Sequence, residues 1–226
     1  HDYYDYGAAY VFRTTDGWTT HTEFKLTAAD AGRDDHFGCS VAIDGNTVVV
    51  GAYDDVNDAA SQWSSAHVFR TDDGGATYVE VAKLTAADGA TWDVFGRSVA
   101  IDGGTIVVGA YSDDPGGSAY VLRTTDGGVT YNQVAKLTAA DAAANDWFGY
   151  SVAIDGSTVV VGSLWDDDAG TNSGSAYVFR ATDGGATYDE VAKLTAADAA
   201  ADYSFGSSVA ISGDTVVVGA WNDGGS

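Results

Sequence analysis

Carboxylates dominate the chemistry open to this chain: 33 of its 226 residues are acids, all of them Asp but for Glu23, Glu80 and Glu190. Two sets fall at fixed offsets. Asp55, Asp113, Asp166 and Asp223 each stand four residues after a Gly that ends a Val-rich run, and Asp35, Asp93 and Asp146 each stand two before a Phe-Gly pair, with Tyr203 in the fourth copy. Hard oxygen ligands on loops that flank one structural unit suit Ca2+, so these Asp are the expected metal ligands and calcium the expected cofactor. Aromatic residues crowd the same segments, namely Trp63, Trp92, Trp147, Trp165 and Trp221 with Tyr53 and Tyr111. Ring faces beside carboxylates stack on sugars, while Trp and Tyr also anchor protein interfaces. These are the expected ligand-binding residues, for a protein partner or a glycan.

The remaining chemistry is sparse. Eight of the ten basic residues recur in register, Arg13, Arg70, Arg123 and Arg180 in one series and Lys25, Lys83, Lys136 and Lys193 in another, as scaffold contacts would. The four His, at positions 1, 21, 36 and 67, neither recur nor show metal-ligand spacing. Cys39 occupies a place taken by Arg97, Tyr150 and Ser207 elsewhere, which reads as an interchangeable strand position. No nucleophile elbow is present, no catalytic residue is expected, and the chain is expected not to be an enzyme. A net charge of -23 argues against nucleic acid, whose phosphates it would repel. No apolar run is long enough for membrane insertion. The absence of Met, even at position 1, points to a processed chain; loss of a secretion signal would place it outside the cell or on its surface.

The elements that must position these residues are legible as a fourfold repeat. Phe37-Gly38, Phe95-Gly96, Phe148-Gly149 and Phe205-Gly206 recur at spacings of 58, 53 and 57 residues, each opening a Ser-Val-Ala-Ile run followed by a Val-rich run ending in Gly. Val81–Asp88, Val134–Asp141 and Val191–Asp198 are identical. Such a period signals stacked supersecondary units. Each unit reads as four strands: A, the Ser-Val-Ala-Ile run; B, the Val-rich run; C, the Ala-Tyr-Val-Phe-Arg type; and D, the Val-Ala-Lys-Leu type. Short turns containing Asp-Gly join A to B. The apolar A and B runs predict burial on both faces, and the mixed D strand predicts an exposed outer position.

The expected fold is all-β, a four-bladed propeller over residues 1–226, with four antiparallel strands per blade. Blade 1 covers about 37–88, blade 2 about 95–141 and blade 3 about 148–198. Blade 4 is divided, with strands C and D in about 1–30 and strands A and B in about 205–226. Its two halves could meet within one chain or between chains. In a propeller the B-C and D-A loops share one face, which then carries 20 of the 33 acids.

The Phe-Gly pair, the Ser-Val-Ala-Ile strand and the Val-Val-Val-Gly-Ala strand resemble the FG-GAP repeat of integrin-alpha-type propellers. That resemblance implies an extracellular adhesion or recognition propeller without catalysis. Tyr53, Tyr111, Leu164 and Trp221 replace the family's Pro, and short turns replace the acidic calcium loop between its first two strands. The C-D turns resemble the Asp-box of sialidase-like propellers: Thr71, Asp73, Gly75, Thr77 and Tyr78 carry it, as do Thr124, Asp126, Gly128, Thr130 and Tyr131. Ala181 replaces the first hydroxyl of the third copy, and Trp18 the Gly of the first. In that family the box supports the fold, and only Arg33 and Arg97 lie outside the recurring series, too few for a sialidase's three-arginine clamp. The expected function is a non-catalytic extracellular adhesion or assembly module that could build a filament or surface layer, with a lectin using the acidic, aromatic face as the alternative and a glycosidase-like enzyme third.

Overall fold

The computed structural model describes residues 6–54 and 64–222, and these contain sixteen strands and no helix. Blade 1 consists of β3 (Val41–Asp44), β4 (Thr47–Ala52), β5 (Ser65–Arg70) and β6 (Val79–Leu84). Blade 2 consists of β7 (Phe95–Asp102), β8 (Thr105–Ala110), β9 (Ser118–Arg123) and β10 (Asn132–Leu137), and blade 3 of β11 (Phe148–Asp155), β12 (Thr158–Ser163), β13 (Ser175–Arg180) and β14 (Asp189–Leu194). Each blade is an antiparallel sheet with its strands in sequence order. The remaining strands form two hairpins, β1 (Ala9–Arg13) with β2 (Thr22–Leu26) and β15 (Phe205–Ser212) with β16 (Thr215–Ala220). By sequence they hold the C–D and A–B places of the repeat, and among the described residues no ladder joins β1 to β16.

Burial follows strand rank. Strands β4, β8 and β12 are buried along their whole length, whereas the D strands alternate. The A strands depart from the sequence expectation, because only part of each is buried. The reason is their position: residues of all four A strands and the segments leading into them line one open cavity of about 370 Å3. Core clusters form between neighbouring blades, so blade-to-blade packing supplies most of the hydrophobic stabilisation.

The Phe-Gly pair makes this packing possible. It sits in a bulge, where pairing jumps from Phe148–Ser163 to Ser151–Gly162 and likewise in β7 and β15. Gly96 has φ +93°, and a Cβ there would lie 2.1 Å from the Ser65 carbonyl oxygen of the preceding blade. The Gly of strand B is equally constrained, since a Cβ on Gly109 would lie 1.9 Å from the Gly149 carbonyl oxygen. Only hydrogen fits at either place.

Candidate functional site

The D-A loops shape one face. Each holds two non-Gly residues at positive φ: Asp34 and His36, Trp92 and Val94, Asn145 and Trp147, Asp202 and Ser204. A β-branched or indole side chain rarely adopts that backbone, so something must hold it. In three loops it is the Asp two before the Phe. Asp93 accepts the Ala90 N–H at 2.6 Å, Asp146 accepts the Ala143 N–H at 2.6 Å, and Asp35 accepts that of Gly32. All three are buried. Burial pushes the Asp93 and Asp146 carboxyls above the usual range, with the neighbouring Asp113 and Asp166 charges adding to it and the backbone bond opposing it.

The loops present their aromatic side chains in a run. Tyr53, Trp92 and Tyr111 line a cleft of about 210 Å3, and Tyr111 and Trp147 border a second of about 160 Å3. Trp147 stacks on Trp165 with centroids 3.4 Å apart and lies 4.8 Å from Tyr111. Trp92 and Trp221 are largely exposed, Trp92 at the first cleft and Trp221 beyond the end of β16. Trp63, Asp55 and Asp223 lie outside the described residues.

Asp113 and Asp166 sit beneath this face rather than at its loop tips. Both are buried, and each accepts the hydroxyl of a fully buried tyrosine, Tyr120 to Asp113 at 2.9 Å and Tyr177 to Asp166 at 2.6 Å. The recurring lysines complete the clusters. Lys136 reaches Asp88 and Asp113, both at 2.7 Å, and Lys193 reaches Asp141 at 2.7 Å, Asp166 at 2.9 Å and Asp168. Lys83 makes the corresponding contact with Asp30 at 2.7 Å. Burial drives the Tyr120 and Tyr177 hydroxyls far above their ordinary pKa, and the acceptor carboxylates push in the same direction. Burial lowers the Lys193 ammonium, but three carboxylates outweigh it and raise the pKa overall.

Asp141, Asp166 and Asp168 bring one oxygen each within 4.8 Å of one another, a group that could hold a metal ion. Here the Lys193 ammonium stands among them and balances their charge. At the family's usual calcium position the fit fails, because β3–β4, β7–β8, β11–β12 and β15–β16 are joined by two-residue turns with no room for an acidic loop.

The opposite face carries the Asp-box turns. Asp73 accepts the N–H groups of Ala76 and Thr77 at 2.8 and 2.9 Å and the Thr77 hydroxyl at 2.6 Å, while the Thr71 hydroxyl links Asp73 to the Gly75 N–H. Asp126 repeats the pattern, and Asp183 keeps the bonds to its Thr. Even the degenerate first copy forms, with Trp18 at φ +71° in the Gly place. The backbone and hydroxyl of Thr20, then the Thr14 hydroxyl, lower Asp16 to about 2. Arg70 and Arg123 donate to the Gly127 and Gly184 carbonyls of the next blade's box, so these turns tie blades together.

Two arrangements resemble catalytic machinery. Ser65 Oγ lies 3.0 Å from His67 Nε2, and His67 Nδ1 lies 2.7 Å from Glu80 Oε1. Both Ser65 and His67 are fully buried, and Ser118 and Ser175 hold the same strand position without a histidine, so the serine belongs to the scaffold. His67 itself occupies the place of Tyr120 and Tyr177, a correspondence invisible when histidines are compared only with one another. Burial raises the Cys39 pKa, which keeps it a thiol.

Sequence reasoning missed His36, which stacks on Tyr53 at 4.6 Å, and the pair Arg97 and Tyr150, whose guanidinium lies 4.9 Å over the ring at the central cavity. The available signal was variation. Arg97, Tyr150 and Ser207 differ within otherwise uniform repeats where they line the open cavity, while Cys39 at the same position is partly buried against the Gly96 carbonyl.

A sequence profile of the FG-GAP repeat matches residues 20–69, 72–122, 131–179 and 188–226. No curated protein matches the chain. Among solved structures, Sqt1 from Saccharomyces cerevisiae is similar at 13% identity and a TM-score of 0.46, over 71% of this chain and 36% of its own. A protein of unknown function from Dyadobacter fermentans is similar at 18% identity and a TM-score of 0.44, over 81% of this chain and 57% of its own. The chain therefore spans less than two thirds of either. The profile covers four consecutive repeats, each beginning at or before a D strand, the first three running through A, B and C and the fourth through A and B, and on that ground the chain belongs to the FG-GAP repeat family.

Proposed function

We propose that this chain is a non-catalytic protein-interaction module of the extracellular or cell-surface kind, which binds a cationic protein surface through its acidic, aromatic loop face and associates with further copies through its divided blade. The observation that carries the loop-face reading is the run of Tyr53, Trp92, Tyr111, Trp147 and Trp165 along two adjoining clefts, on the face to which most of the acids map. Aromatic anchors supply contact area at low entropic cost, and the surrounding charge favours Lys- and Arg-bearing partners. Membership in a propeller family that is generally not enzymatic supports the same reading. The test is selection from a peptide library displayed on phage. The reading expects Arg- and Lys-rich peptides with an aromatic residue, lost by a Trp92→Ala/Trp147→Ala/Trp165→Ala chain; selection of no peptide would contradict it.

A lectin is the second reading, favoured by the Trp147–Trp165 stack beside Tyr111. A glycan-array signal abolished by the same triple substitution would favour it over the first. Calcium support is the remaining expectation, and its favouring observation is the Asp141, Asp166 and Asp168 group. A bound ion would displace Lys193 and raise the melting temperature over that in chelator; equal melting temperatures would contradict it.

A further inference from the structure

The blade junctions repeat bond for bond, and among the described residues the first and last hairpins present complementary halves of such a junction. At each inner junction a Ser hydroxyl donates to the next blade's Phe-Gly carbonyl: Ser40 to Gly96, Ser98 to Gly149 and Ser151 to Gly206, each at 2.8 Å. Among the described residues the fourth Ser, Ser208, reaches no Phe-Gly carbonyl, and the first carbonyl of the series, that of Gly38, accepts from no such Ser. At the rim, Arg70 and Arg123 bind the next box, while among the described residues Arg180 makes no such contact. Glu80, Gln133 and Glu190 accept the N–H groups of Ala29, Ala87 and Ala140 from the preceding loop, which pairs Glu23 by position with Ala197.

The apolar contacts are divided in the same way. Val49, Val107 and Val160 are fully buried, while Val217 at the same place in β16 is 64% exposed. Val99 and Val152 are 9% exposed, while the corresponding Val41 is 61%. Val41, Ile43 and Val11 line an apolar groove of about 220 Å3 beside β1. β1 and β16 each pair on one side only.

We infer that the C-terminal end of one copy docks on the N-terminal end of a second copy, β16 adding antiparallel to β1 with Val217 opposite Val11. The register is that of β4 on β5, where Val49 lies opposite Val68 and Thr47 opposite Arg70. Thr215 then meets Arg13, Val217 covers Val41 and Ile43, and Ser208 donates to Gly38. The surfaces are different patches of the chain, so the contact is head-to-tail and propagates to a ring or a filament. This inference rests on the self-association part of the proposed function, and it stands or falls apart from what the loop face binds.

Two single-cysteine chains test it, Val11→Cys and Val217→Cys, both on Cys39→Ser, a residue already present at the equivalent Ser207. With a short bismaleimide, the mixture is expected to give a cross-linked dimer of one chain of each kind, in at least tenfold excess over either chain alone. A chain carrying both cysteines is expected to give a ladder of multiples. Cross-linking of that double variant within a single chain would overturn the inference, as would a mixture that stays uncross-linked. Because peptide selection by the loop face is read on monomeric chains, a negative result here leaves it untouched.

Discussion

The internal junctions and the two chain ends are built from the same residue types, and the same side chain is buried in one and bare in the other. Val107 and Val217, or Lys193 and Lys25, hold the same places in the repeat but differ in the strands and loops that surround them. Repeated sequence therefore does not mean repeated energetics. In a propeller the unit of stability is the contact between blades, much as in other repeat proteins, where nearest-neighbour terms dominate.

The sharpest way to break this comparison is Gly109→Ala against Gly219→Ala. A Cβ on Gly109 meets the Gly149 carbonyl at 1.9 Å, which should cost about 3 kcal/mol in urea denaturation. On Gly219 its near neighbours are side-chain atoms, the Ser208 hydroxyl at 2.4 Å and the Ser207 hydroxyl at 3.5 Å, so less than about 1 kcal/mol should be lost. The same Gly219→Ala should abolish association between copies, as sedimentation would read, because there it faces the partner's Gly38 carbonyl.

Removing a recurring lysine comes next. Lys193→Met leaves buried Asp166 without its cation and should destabilise by about 2 kcal/mol, a figure reduced for the partial exposure of the lysine. Lys25, which among the described residues lies 6.0 Å from the Tyr10 ring and in no ion pair, should tolerate the same change within about 0.5 kcal/mol by thermal melting.

Acid should erase the difference between junctions and ends, because the Asp-box closes in all four copies. The folded pKa values of Asp16, Asp73, Asp126 and Asp183 lie below the ordinary 3.8, so their stabilisation is complete above that value and is lost as pH falls through the folded values, about 2 for Asp16. Calorimetry should find the melting temperature falling below about pH 4. The raised Asp93 and Asp146 act in the opposite sense at milder acidity, where protonation favours the folded state. The smallest effect belongs to the loop face: Trp92→Ala, at an exposed position, should change stability by no more than about 0.5 kcal/mol in the same melts.

The fold was largely legible because repetition exposes it. Phe95-Gly96 and its copies marked each blade's start, and the Val-Val-Val-Gly runs marked the strands buried on both sides. The candidate site was less so. The offset of Asp113 and Asp166 from the strand-ending Gly suggested loop-tip ligands, but the same offset places them under the loops against Tyr120 and Tyr177. Spacing along the chain does not say whether a side chain points out or under. The role of Asp93 and Asp146 as clamps on their own loops depends on positive φ at Trp92, Val94, Asn145 and Trp147, a backbone choice that residue type alone argues against. Tyr150 was hidden for a third reason, since its importance comes from Arg97 in another blade, and His36 because its partner Tyr53 is brought beside it only by the folding of its own blade.

The central claim, that the chain ends are one unsatisfied junction shared between copies, is tested most directly by amide hydrogen exchange along β16 as a function of protein concentration. The account predicts fast exchange at Val216 and Val218, whose amides point away from β15, in dilute solution, slowing on concentration toward the protection of β4, β8 and β12. Protection that is already full on dilution, or exchange that stays fast at every concentration, would contradict it.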